Sequence, residues 1–128
     1  MKIPYPTISD KLALSPHMYV CMDVDDNTYK FVKCQTLKPY MLYNNTISHY
    51  CDEQPDITRN PFKRTTRIDC DKLFKTNSVN YDDSLKTTSR PDISIELYND
   101  ILKELLADGY LEIGIDENEL KMLNILIR

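Results

Sequence analysis

Along this chain of 128 residues the rhythm of hydrophobic and polar positions changes near residue 90. Before that point apolar residues come in short runs with partial alternation; after it they recur every three or four positions. Met18–Val24 ("MYVCMDV") predicts a strand, Asp25–Thr28 ("DDNT") a tight reversal, and Tyr29–Gln35 ("YKFVKCQ") the partner strand. Both strands carry apolar residues on consecutive positions, which predicts a curved sheet partly covered on both faces. Leu37–Thr66 is polar and interrupted by Pro39, Pro55 and Pro61. Short strands are expected there near Met41–Tyr43 and Ile47–Tyr50, with a mobile stretch over Cys51–Arg59. Thr65–Phe74 ("TTRIDCDKLF") resumes the strand pattern, with Ile68 and Cys70 on one face and Arg67, Asp69 and Asp71 on the other.

Beyond "TTSRPD" the period becomes helical. Ile93, Leu97, Ile101 and Leu105 form a stripe widened by Tyr98 and Leu102, starting at Pro91-Asp92 and stopped by Asp108-Gly109. A short apolar piece, Tyr110–Ile115, precedes a second helix capped by Asp116, with Glu119 completing a capping box and Leu120, Leu123 and Ile127 on its buried side. Strands followed by helices define an α+β chain: a small curved antiparallel β-sheet or SH3-like barrel followed by C-terminal helices. A single domain spans 1–128, with a β-rich portion over 1–90, a polar insertion near 40–60, and a helical portion over 91–128.

Composition narrows the setting. No apolar run approaches the roughly 18 residues of a membrane span, and the start, "MKIPYP", lacks the apolar core of a signal peptide; a cytoplasmic protein is expected. The four cysteines, Cys21, Cys34, Cys51 and Cys70, include no Cys-x-x-Cys pair. His17 with Cys21 and His49 with Cys51 could share a zinc ion, but buried thiols in strands are the commoner use of such residues. With two glycines, Gly109 and Gly114, the chain has no Gly-rich phosphate loop.

The net charge of −4 hides an asymmetry. Residues 91–128 hold nine acidic and three basic side chains, whereas Arg59–Lys75 holds six basic and two acidic ones, and Thr28–Met41 adds Lys30, Lys33 and Lys38 without an acid.

"HMYVCMDVDDNTYKFVKCQT", residues 17–36, together with "TTRIDCDKLF" and a closing helix, is similar to MazF/PemK-like toxins, small SH3-like barrels that cleave RNA. Thr36 stands where that family places a threonine at a strand end, and "SPHM", Ser15–Met18, stands where it carries Arg-Pro. The resemblance implies single-stranded RNA as substrate, a protein antitoxin as partner, a homodimer, and no cofactor or metal.

RNA cleavage without metal needs a base for the 2′-hydroxyl, a donor to the phosphorane oxygen and a cation for its charge. His17, Thr36 and Arg64 are the candidates for those three roles. Lys33, Arg59, Lys63 and Arg67 are the candidate phosphate-binding cations, with Phe62 and Phe74 interleaved and Tyr29, Phe31, Tyr40 and Tyr43 nearby to stack bases. Each has a plainer reading: a surface histidine, a strand-end threonine, and a basic face paired with the chain's own acidic helix. The alternative function is a non-catalytic phage or mobile-element module docking a host protein. Its docking element would be the barrel or the carboxylate series Asp92, Glu96, Asp100, Glu104 and Asp108.

Overall fold

The computed structural model describes residues 1–4, 10–43 and 47–128 of the chain, so positions 44–46 of the predicted insertion lie outside the described residues. In chain order the elements are α1 (Asp10–Leu14), β1 (Met18–Asp25), β2 (Thr28–Thr36), a 3₁₀ turn (Pro39–Leu42), β3 (Tyr50–Glu53), β4 (Thr66–Asp69), β5 (Lys72–Thr76), a second 3₁₀ turn (Asp83–Leu85), α2 (Ile95–Asp108), β6 (Leu111–Gly114) and α3 (Glu117–Leu123). The architecture is α+β. Among the described residues six strands form one open sheet, which does not close into a barrel.

The predicted hairpin forms with Asp25 opposite Thr28, leaving a two-residue loop in which Asp26 takes φ 58°. That positive φ at the first loop position is what a turn following the strand twist demands, and aspartate tolerates it. Met22 is an extra residue in β1, since Cys21 pairs with Phe31 but Asp23 with Lys30. The bulge bends the ribbon and buries Met22.

β2 organises the sheet. One edge pairs with β1; the other pairs with β4 near Cys34–Thr36 and with β5 near Tyr29–Phe31. Two residues separate Phe31 from Cys34 in β2, but five separate Ile68 from Phe74 in the opposing chain. The surplus, around Cys70-Asp71, breaks the strand in two, so that β3 adds to β4 and β6 adds to β5. β6 runs parallel to β5, which corrects the expectation of a wholly antiparallel sheet. The chain reaches β6 through α2, and a helical crossover returns it in the same direction.

Both faces are covered. Val32, Cys34, Ile68, Cys70 and Leu73 pack under α2 through Leu97, Ile101 and Leu105. Phe74, Ile113 and Ile115 pack on the other face with Ile3, Leu12, Leu120 and Ile127. Phe31 and Val32, adjacent in sequence, are therefore both buried. The three α2 anchors are at most 2 % exposed, each worth about 2 kcal/mol of apolar burial.

Several boundaries differ from expectation. Pro39 starts a 3₁₀ turn where Met41–Tyr43 was expected to be extended; proline favours a first helical position and supplies no ladder donor. The second insertion strand is Tyr50–Glu53 rather than Ile47–Tyr50. Cys51–Arg59 holds Cys51–Glu53 of that strand and a turn in which the Asp56 carboxylate accepts from Thr58 N–H at 2.9 Å. α2 begins after Ser94, whose hydroxyl accepts from Leu97 N–H at 3.1 Å, and not at Pro91-Asp92. Gly109 ends it at φ 74°, and Asp116 caps α3 by accepting from Glu119 N–H at 2.9 Å. Cys21 is exposed on β1, whereas Cys34 and Cys70 are buried.

Candidate nucleic-acid interface

Pairing of β2 with β4 opposes Thr36 to Thr66, and the Leu37 N–H then donates to Thr65 O at 2.9 Å. The ladder thereby places Lys38, just past the end of β2, beside Lys63-Arg64, just before β4. The two segments line an open cleft of about 1150 Å³ together with His17, Lys33, Gln35, Thr36, Tyr40, Asp69 and Lys72. Among the described residues five cations share this cleft with one carboxylate, Asp69. Lys33 is bound to Asp69 at 3.4 Å, and Lys72 turns to Asp71 at 3.0 Å. Among the described residues Lys38, Lys63 and Arg64 have no acidic partner, and Lys63 and Arg64 are exposed.

His17, Thr36 and Arg64 thus line one cleft. Thr36 is exposed at the end of β2. His17 sits where β1 begins, half-buried, with its backbone locked to Met1: its N–H donates to Met1 O at 2.9 Å and the Met1 amino group donates to His17 O at 2.8 Å. The Nδ1 atom lies 3.0 Å from Ser15 O. A carbonyl can only accept, so Nδ1 carries the proton and the neutral ring keeps a lone pair on Nε2. Burial, followed by the charge of Lys33, lowers the His17 pKa from its ordinary value. The imidazole is consequently neutral at pH 7, the state a proton acceptor needs.

Two of the four predicted phosphate-binding cations are committed elsewhere. Arg67 lies opposite Asp52 in the β3–β4 ladder, is 1 % exposed, and donates through Nε at 2.8 Å and Nη2 at 2.9 Å to that carboxylate. Its Nη1 donates to Met41 O at 3.2 Å, and its guanidinium lies 3.5 Å over the Tyr50 ring. With three bonds made, one face on a ring and 1 % of its surface exposed, it is not available to a phosphate. Arg59 donates to Glu53 at 2.7 Å and to Asp100 of α2 at 2.8 Å, so at this residue the basic stretch does pair with the acidic helix. Neither lines the cleft. Lys33 and Lys63 do.

The aromatic set also contracts. Phe31, Phe62 and Phe74 are core residues, which leaves Tyr40, 55 % exposed, as the ring offered to a base in this cleft. The carboxylate series of α2 is interrupted as well: Asp92 precedes the helix, Asp100 holds Arg59, and Glu104 lies 3.8 Å from His49.

Lys38, Lys72, Gln35 and Asp69 line the cleft but were not selected from sequence. Lys38 carried a signal, since it belongs to the acid-free stretch after the hairpin. Asp69 is 5 % exposed and accepts from the Gln35 amide at 3.0 Å. Burial outweighs Lys33 and raises its pKa. Among the described residues no cluster of His, Cys, Asp or Glu is arranged to hold a metal ion, and no helix is long and apolar enough to cross a membrane. In comparisons with known proteins, no family model, curated protein or solved structure matches the chain.

Proposed function

We propose that this cleft binds single-stranded RNA and cleaves it without metal, as a distant MazF/PemK-like relative with an opened version of the small-barrel fold would. The observation that supports this reading is the convergence of five cations, one carboxylate, a neutral histidine and an exposed threonine on one concavity. Lys38, Lys63 and Arg64 hold the phosphate backbone, and Tyr40 stacks a base. His17 Nε2 takes the 2′-hydroxyl proton, Thr36 donates its hydroxyl hydrogen to the phosphorane oxygen, and Arg64 offsets the charge that develops there. The open cleft leaves protonation of the departing oxygen to solvent.

The test uses a fluorescent single-stranded RNA with chelator present. Affinity is expected to fall steeply between about 50 and 200 mM salt, and removing Lys38, Lys63 and Arg64 together should flatten the log–log slope by about 2. His17→Ala should abolish cleavage and leave binding intact.

No binding at low salt would favour the second reading, a protein-docking module. A neighbouring groove of about 690 Å³ supports that alternative. Val24 (54 % exposed) and Ile95 (76 % exposed) lie among its apolar residues, and Asp82, Asp83 and Asp92 accompany Lys86. Such a groove suits a partner segment bearing apolar and cationic side chains.

A further inference from the structure

Cys51 of β3 and Cys70, at the break between β4 and β5, have their sulfurs 3.9 Å apart. The contact follows from the ladder. Cys51 opposes Ile68, so Cys70 is its diagonal neighbour on the same face, and the Cys70 N–H donates to His49 O at 3.0 Å. Four register pairs hold the two strands side by side, which keeps the two thiols facing each other. Cys34 is buried in the core and Cys21 is exposed on β1.

From this geometry we propose that Cys51 and Cys70 form a peroxide-sensitive pair that closes to an intramolecular disulfide. The two thiols have unequal roles. Cys51 is half-buried and reachable from solvent, whereas Cys70 is 0 % exposed. The Cys70 S–H donates to the Cys51 sulfur, and this bond lowers the Cys51 pKa despite burial and the carboxylates of Glu104, Asp100 and Glu53. The same bond, with burial, pushes the Cys70 thiol far up. Cys51, the more accessible sulfur and the one whose pKa is lowered, is therefore the attacking group and Cys70 the resolving thiol.

In the first step the Cys51 sulfur attacks one oxygen of hydrogen peroxide. The O–O bond breaks, a sulfenic acid forms, and the other oxygen leaves as water after taking a proton. In the second step the Cys70 sulfur attacks the Cys51 sulfur, forming the S–S bond and expelling the sulfenic oxygen as a second water with the thiol proton. Two thiols lose two electrons and two protons, and one peroxide becomes two waters. The sulfurs close from 3.9 Å to a bond of about 2 Å.

The test treats the full chain with hydrogen peroxide, followed by intact-mass measurement and peptide mapping. The expected result is a monomer lighter by two hydrogens, about 2 Da, restored by dithiothreitol, with Cys51 and Cys70 in one cross-linked peptide. Cys21→Ser should keep the loss and Cys51→Ser should remove it. Stepwise oxygen additions at Cys51 without a cross-link, a cross-link through Cys21, or no reaction would each overturn the proposal.

Discussion

Replacing Arg67 by alanine separates a structural cation from a ligand-binding one. In the folded chain Arg67 makes a two-pronged bond to Asp52, a third bond to Met41 O, and a face contact with Tyr50. Removing one partner of a buried ion pair costs about 3–5 kcal/mol, because the other charge is left stranded. Here the stranded group is Asp52, whose side chain is 33 % exposed and can recover part of its hydration. The estimate therefore falls at the low end, about 3 kcal/mol, or roughly 10 °C in Tm for a domain of this size. Arg67→Lys keeps the charge but loses the fork, and about half that loss is expected. Urea unfolding followed by far-UV circular dichroism reads both values. A double-mutant cycle with Asp52→Asn isolates the pair term. A loss below about 1 kcal/mol, or full stability with weakened RNA binding, would refute the assignment of Arg67 to the scaffold.

Asp69 offers a pH test. Its pKa is raised in the folded chain, chiefly by burial, so above the ordinary aspartate range the unfolded chain has lost this proton more completely and the group lowers stability. Asp69→Asn should therefore be more stable than the parent at pH 7, with the gap closing below about pH 4, where both states are protonated; chemical denaturation across pH reads it. Ser94→Ala removes the α2 cap and should cost about 1 kcal/mol in urea unfolding. Gly109→Ala meets no atom within 4 Å, yet φ 74° and ψ 172° strain any side chain; a loss of about 2 kcal/mol by the same measurement is expected.

Local chemistry made much of the fold legible. The β1–β2 turn follows from Asp25-Asp26-Asn27, and the α2 stripe from Leu97, Ile101 and Leu105. The helix stop follows from Gly109 and the α3 cap from Asp116. Each depends on residues within a few positions of one another, where backbone geometry acts directly on the side chains involved. The start of α2 was read at Pro91-Asp92, whereas the helix begins after Ser94, whose hydroxyl caps it.

The sheet's break at Cys70-Asp71, the parallel return of β6, and the fate of each cation were decided by tertiary structure. Composition marks Arg59, Lys63, Arg64 and Arg67 as one basic cluster. Yet Arg67 finds Asp52 fifteen positions away, and Arg59 finds Asp100 forty-one positions away. Among the described residues Lys63 and Arg64 find no carboxylate, and they face the cleft. A charge along the chain is the same charge whichever way it points. Strand register and helix docking set the distance to its counter-ion, and that distance decides whether it is neutralised within the fold or left for a partner.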